Sequence, residues 1–209
     1  MNTTENMVKI AVNGGISFGA KLTGKQLITI AKYMPEDTEL ELTTFQQLYI
    51  EVPEEKLEET KQEFQDVGLS CYPIGNFVKS LRTCNFCKGA EAEGMDVAIE
   101  LNKIVAGRPV PFTLKPAYTG CPVGCGEPLI NDIGVMKMRE TYNLYVGGKS
   151  KGADAVVGTL FLESLTPYEL LEAVDKIITI YSVNGKKREP FFKFVKRYGF
   201  DNLLKEVVL

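Results

Sequence analysis

Four of the five cysteines lie in two close pairs, Cys84-Asn-Phe-Cys87 and Cys121-Pro-Val-Gly-Cys125, with thirty-three residues between them. Two cysteines two or three residues apart can aim both sulfurs at one centre. Two such pairs supply the four thiolates that a [4Fe–4S] cluster or a structural zinc requires. A Cys-x-x-Cys pair is also the pattern of a redox dithiol, although that chemistry leaves the second pair idle. Zinc ribbons keep their two pairs on short, neighbouring hairpins, whereas here a helix and a strand intervene. Spacing alone leaves the cluster, the zinc and the dithiol all open. The chain has no histidine, which excludes Ser/His and Cys/His catalytic pairs, mixed histidine zinc sites and histidine-ligated haem. Cys71 stands alone in an apolar context and reads as a buried thiol.

The 209 residues suffice for one domain or two small ones with a sizeable core. A net charge of −3 gives no electrostatic footprint for nucleic acid or an anionic membrane. No apolar run has the length of a membrane span, and the first residues lack the basic and apolar regions of a signal peptide. A cytoplasmic protein is the expectation.

Two units are expected to carry the cysteines, with a boundary near residue 76. In residues 1–75, Met7–Val12 reads as a strand, followed by Asn13-Gly14-Gly15 and Gly19. Thr23-Gly-Lys-Gln26 is a capping box, and the apolar spacing after it predicts a helix over 23–34. Alternation over 38–43 and 47–52 predicts two antiparallel strands with Leu40, Leu42, Leu48, Ile50 and Val52 inward. Pro53 opens an acidic helix to about Asp66, and Gly68 ends it. Strand, helix, two strands, helix and strand make a ferredoxin-like half-domain of α+β class.

Residues 76–209 are expected to form a second α+β domain with a mixed sheet. Met95, Val97, Ala98, Leu101 and Ile104 fall at helical spacing and Gly107 closes that helix. Strands are predicted over 110–119, 132–138, 142–146 and 156–162. Thr166-Pro-Tyr-Glu169 starts a helix that runs to about Tyr181, and a last helix covers about 189–205.

Gly120-Cys-Pro-Val-Gly-Cys125, then Asn131-Asp-Ile-Gly134, then Tyr145-Val-Gly-Gly148 resembles the sulfite/nitrite reductase family, whose members couple a [4Fe–4S] cluster to siroheme. Gly14-Gly15 and Leu42-Thr-Thr-Phe-Gln-Gln-Leu-Tyr-Ile50 are similar to the half-domain that precedes the cluster domain there. Together these stretches cover nearly the whole chain, about one half-repeat of the larger enzymes.

The resemblance implies an oxidoreductase that reduces a small oxyanion, sulfite or nitrite, with electrons from a donor such as a ferredoxin or a reductase subunit. It implies that Cys84, Cys87, Cys121 and Cys125 ligate the cluster and that Cys125 is shared with the siroheme iron. Arg82 and Lys115 stand where the family places cations that bind cofactor carboxylates and the anion, and Gly147-Gly148 belongs to its cofactor-binding signature. For both cations a solvated surface charge is the competing reading. The chain departs from the family in its short first cysteine pair and in Phe45, Phe112 and Thr113, where basic residues are frequent. Fewer cations stabilise an oxyanion less. An iron–sulfur electron-transfer or cofactor-binding protein without its own reductase activity is therefore the alternative. The larger enzymes pair two half-repeats about a pseudo-two-fold axis, so a homodimer is expected of a chain with one.

Overall fold

β1, Met7–Asn13, runs through the middle of the first sheet and sends Ile10, Ala11 and Val12 into the core. The computed structural model describes residues 6–17 and 21–208, so Gly19 lies outside the described residues. Contacts divide the chain into two compact units, Met1–Ile74 and Gly75–Leu209.

In the first unit, α1 spans Gly24–Ala31 behind the expected Thr23–Gln26 capping box. The box holds because Thr23 Oγ1 accepts from Gln26 N while Gln26 Oε1 accepts from Thr23 N, satisfying two amides that the helix start leaves unpaired. β2 (Glu41–Leu42) and β3 (Leu48–Pro53) follow, then α2 (Leu57–Asp66) and β4 (Ser70–Pro73). The antiparallel order β2-β3-β1-β4 is the ferredoxin-like arrangement that the element order predicts.

Ile10, Val12, Ile30, Leu48, Ile50, Val52, Phe64 and Leu69 make the core of this unit, and Cys71 packs against it. Burial pushes the Cys71 thiol up to about 11, so it behaves as a small apolar side chain. Leu42 does not point inward as the alternation suggested: it is 73% exposed. β2 has only two residues, at the sheet edge and paired to β3 alone, so nothing covers its outer end.

The second unit is a five-stranded sheet in the order β5-β6-β7-β8-β9. Its strands are β5 (Arg82–Thr83), β6 (Pro116–Thr119), β7 (Ile133–Met138), β8 (Thr141–Val146) and β9 (Thr159–Leu165). The first three are parallel and the last two antiparallel, which makes the sheet mixed. α3 (Met95–Val105) is the crossover between β5 and β6. α4 (Pro167–Asn184) buries Leu170, Val174, Ile177, Ile178 and Tyr181, each fully buried apolar side chain contributing about 1.5–3 kcal/mol.

Three boundaries differ from the sequence reading. The segment 110–115 makes only isolated bridges, because Pro109, Pro111 and Pro116 offer no N–H to a ladder. β9 starts at Thr159 rather than Val156, since Val156 pairs only with Lys149 and the Gly158 N–H turns to Leu129 O. The last helix is two, α5 (Phe191–Tyr198) and α6 (Phe200–Val208), broken at Gly199, where φ is +97°. Phe191 and Phe194 join Tyr181 in the core, while Phe192 stays half-buried.

Candidate metal centre

β5 and β6 lie side by side and parallel, with Arg82 opposite Ala117 and Thr83 opposite Tyr118. Each strand therefore ends at the same edge of the sheet, and each is followed by a cysteine loop. Cys84 N–H donates to Tyr118 O at 3.2 Å, which fixes the start of the first loop against the end of β6. The Gly120 N–H then donates to Cys84 Sγ at 3.3 Å, so the second loop reaches the first cysteine's sulfur directly.

The loops touch through backbone, and glycine makes this possible. A Cβ at position 126 would overlap the Tyr118 carbonyl oxygen, and one at position 120 would overlap the Glu93 side chain. Phe86, between the first two cysteines, adopts φ +49° and is buried, stacked on Tyr118 with ring centroids 6.0 Å apart. Left-handed backbone at a large non-glycine residue is strained, and packing on Tyr118 holds it there.

Cys84 is buried, Cys121 is half-buried, and Cys87 and Cys125 are exposed. Glu93, 1% exposed, stands beside the first pair. The Cys87 thiol lies 3.6 Å from Glu93 Oε1 and the Cys84 thiol 4.0 Å from Oε2. Tyr118 Oη donates to the Glu93 carbonyl at 2.7 Å and so anchors this carboxylate's backbone. Negative charge on Glu93, and its acceptance of the Cys87 S–H, raise the Cys87 thiol above its ordinary range, with a smaller push from Cys121. Among the described residues, no three His, Cys, Asp or Glu side chains close tightly enough on one point to hold a single metal ion.

The other expected site residues lie beside the middle of β6 and at its start. Arg82, two residues before Cys84, stands opposite Ala117 in the middle of β6, and its Nη2 pairs with Glu127 at 2.8 Å. Lys115, Gly147 and Gly148 lie at the start of β6, whose four residues, roughly 13 Å of strand, separate Lys115 from the second cysteine loop, while the partner of Arg82 is only two residues along from Lys115. There Lys115 N–H donates to Asp132 Oδ2 at 2.8 Å and Gly147 N–H to Asp132 O at 2.8 Å. Gly148 has a packing reason of its own: a Cβ would stand 2.6 Å from the carbonyl oxygens of Leu129 and Asn131. Burial raises the Asp132 carboxyl to about 7, against the Lys115 N–H and ammonium that lower it. Phe112 and Thr113, with Lys115 and Gly148, line a cavity of about 270 Å³ at this end. Phe45 is buried in the first unit.

Sequence reasoning missed Glu93. In Glu91-Ala-Glu93 it looks like one of two solvated charges, and only the turn at Gly94, φ +66°, brings it under the cysteines.

Residues 78–209 match the family model of the nitrite and sulphite reductase 4Fe-4S domain. The chain belongs to this family. A Cobalt-factor III methyltransferase of Priestia megaterium is 29% identical over 94% of the chain, which corresponds to 37% of that protein. An assimilatory-type sulfite reductase of Nitratidesulfovibrio vulgaris is 25% identical over 68% of the chain and 65% of its own length. The chain thus spans less than two thirds of either relative. Among solved structures, dissimilatory sulfite reductase I superposes with a TM-score of 0.74 over 97% of this chain and 69% of that one, at 14% identity, which shows a shared fold.

Membership in the nitrite and sulphite reductase family implies an iron–sulfur domain, and the residues present fit one. The donor set is all cysteine, and an N–H points at the buried sulfur, as suits a thiolate holding iron. Among the described residues, no helix is long and apolar enough to cross a membrane.

Proposed function

We propose that the chain is a small sulfite/nitrite reductase-like oxidoreductase in which Cys84, Cys87, Cys121 and Cys125 hold a [4Fe–4S] cluster, with siroheme coupled through Cys125 and a small oxyanion as substrate. The convergence of both cysteine loops on one sheet edge, joined by the Gly120 N–H to Cys84 Sγ contact, carries this reading. When bound, these cofactors would supply single electrons to the anion.

The chain's own residues set the conditions for that chemistry. Phe86 and Tyr118 wall off water beneath the loops. Arg82 supplies positive charge for cofactor carboxylates or for negative charge that builds on a reacting oxygen. Lys115, two residues along the strand from the partner of Arg82, would supply a second cation for those carboxylates and for the anion, and Gly147-Gly148 a close backbone approach to the cofactor.

The test is an anaerobic absorption spectrum with iron, sulfide and zinc analysis on one sample. Tetrapyrrole bands over a broad iron–sulfur shoulder are expected, with turnover of sulfite or nitrite under a strong reductant. Cys84→Ser is expected to lose most of the iron. Zinc without sulfide would sink the reading.

A second reading is an electron-transfer or cofactor-binding module whose reaction is carried out by a partner. The Arg82–Glu127 pair favours it, since a guanidinium already neutralised by a carboxylate attracts an oxyanion less. The similarity to relatives named for different reactions, a methyl transfer and a sulfite reduction, also supports it. An iron–sulfur shoulder without tetrapyrrole bands or turnover would select this reading.

A further inference from the structure

The first unit's sheet sets four polar side chains together on one face. Lys9 on β1 stands opposite Glu51 on β3, and Glu41 on β2 stands opposite Tyr49 on β3. Tyr49 and Glu51 are two positions apart on their strand, so alternation turns all four away from the core that Ile10 and Ile50 build. There they border a cavity of about 710 Å³, which Tyr33, Met34, Leu40 and Pro53 also line. Every lining residue belongs to the unit Met1–Ile74, and the cluster reading uses none of them.

The contacts of Lys9 show which charge this cavity accepts. Its ammonium lies 3.4 Å from Glu41 Oε2, 3.9 Å from Glu51 Oε1 and 5.8 Å from the centroid of the Tyr49 ring. Two carboxylates and an aromatic face around one ammonium are the parts of a cation site. Both ion pairs are longer than the roughly 2.7–2.9 Å of a tight charge-assisted contact, so neither carboxylate is saturated. Glu39 lines the same cavity, is exposed and pairs with no described cation. Three carboxylates therefore face a single ammonium, and the walls repel an anion.

Size and wall chemistry narrow the ligand further. Among the described residues, no three carboxylates close on one point, so the arrangement does not suit a bare metal ion. A cavity of this size takes an organic molecule. Tyr33, Tyr49 and Met34 offer it aromatic and thioether walls, which favour a flat apolar body.

We propose that this cavity binds an organic cation, an amine carried on an aromatic body, with Glu41 and Glu51 pairing the ammonium and Tyr33, Met34 and Tyr49 holding the ring. Lys9 is then a tethered competitor for the same carboxylates. The site goes beyond the cluster reading and does not rest on it.

Isothermal titration of the purified protein with phenethylamine tests this. The controls are hydrocinnamate, which has the same ring and the opposite charge, and ethylamine, which has the charge and no ring. Phenethylamine is expected to bind more tightly than either control and to weaken as salt rises. Lys9→Met removes the competing ammonium and keeps the stem, so it should tighten phenethylamine by about two- to fivefold, the range of an exposed ion pair. Glu41→Gln and Glu51→Gln should each weaken it by a similar factor. Tyr49→Ala should weaken it, and Tyr49→Phe, which keeps the ring face, should restore it.

Failure of phenethylamine to bind, or hydrocinnamate or ethylamine binding as tightly, would overturn the proposal. Unchanged or weaker binding in Lys9→Met would also overturn it, because a merely structural lysine would give that result. The titrations are run on protein with and without the iron–sulfur shoulder. Equal binding in both leaves this site standing whatever becomes of the cluster reading. Binding only where the shoulder is present would tie the amine to the cofactor and overturn the site as a separate one.

Discussion

The two ends of the second unit's sheet are built on opposite plans. At the cysteine end, loops are short and pressed backbone to backbone, with Cys84, Phe86 and Glu93 buried and Tyr118 pinning the carboxylate's main chain. At the lysine end, the chain leaves a cavity and its cations reach solvent. β6 joins the two, with Thr119 leading into one and Lys115 lying at the other. The difference teaches that one short strand can border both a closed, backbone-packed pair of loops and an open, cation-lined cavity. Lys115 is six positions from Cys121, and the four residues of β6 put roughly 13 Å of extended strand between them.

Substitution of glycine at the cysteine end tests this contrast most severely. Gly126→Ala is expected to force the second loop off the end of β6, at a cost of about 3 kcal/mol or more, the upper range for overpacking. Thermal melting should show a large drop, and iron content should fall with it. An unchanged melt would mean that the loops are not closed on each other.

A smaller effect is expected at the lysine end. The Asp132 carboxyl is raised to about 7 by burial, above its unfolded value of about 3.9, so its protonated form is favoured by folding. Its contribution is therefore fully present below about pH 4 and is lost as pH rises through about 7. Asp132→Asn keeps an acceptor for the Lys115 N–H and removes the charge. The melting temperature of the variant should vary less than the parent's between pH 4 and 8, and exceed it by a few degrees at the upper limit. Equal slopes for the two proteins would refute the burial argument.

The mildest expectation returns to the cysteines. Glu93→Gln removes the charge that raises the Cys87 thiol, so in metal-free protein that thiol should ionise at lower pH. Alkylation of Cys87 by iodoacetamide at pH 8 should quicken by less than about tenfold, the equivalent of one pKa unit. An unaltered rate would mean that Glu93 does not govern this sulfur.

Much of the fold was legible because it is written in local chemistry. Thr23 and Thr166 both cap as expected, each with its Gln or Glu three residues on. The first unit's element order gave the ferredoxin-like sheet, and Tyr142–Val146 alternates cleanly because one face of β8 is buried. What stayed hidden depends on distant partners. Leu42 follows the inward alternation but sits at an edge with nothing over it. Val156 and Val157 have the composition of a strand, yet Gly158 hands its N–H to Leu129, twenty-nine residues away in no repeating pattern. Gly199 did carry a signal, as a glycine after a basic helical turn, and the apolar spacing on either side of it masked the break.

For the site, the cysteines were legible from spacing and the family from the motifs around them. Glu93 was not, since nothing in Glu-Ala-Glu distinguishes a buried carboxylate from a solvated one. The side-by-side placing of Arg82 and Ala117, two residues along from Lys115, was equally invisible, as only strand pairing brings residues thirty-five positions apart together.

The backbone closure between Gly126 and Tyr118 also bears on how the proposed cluster would be seated. In many small metal proteins the ion is the organiser, and the chain is unfolded until it arrives. Here the seat is assembled by main-chain contacts and by the Phe86–Tyr118 stack, none of which involves a metal. Loop closure and thiolate ligation thus draw on different groups of the same two loops.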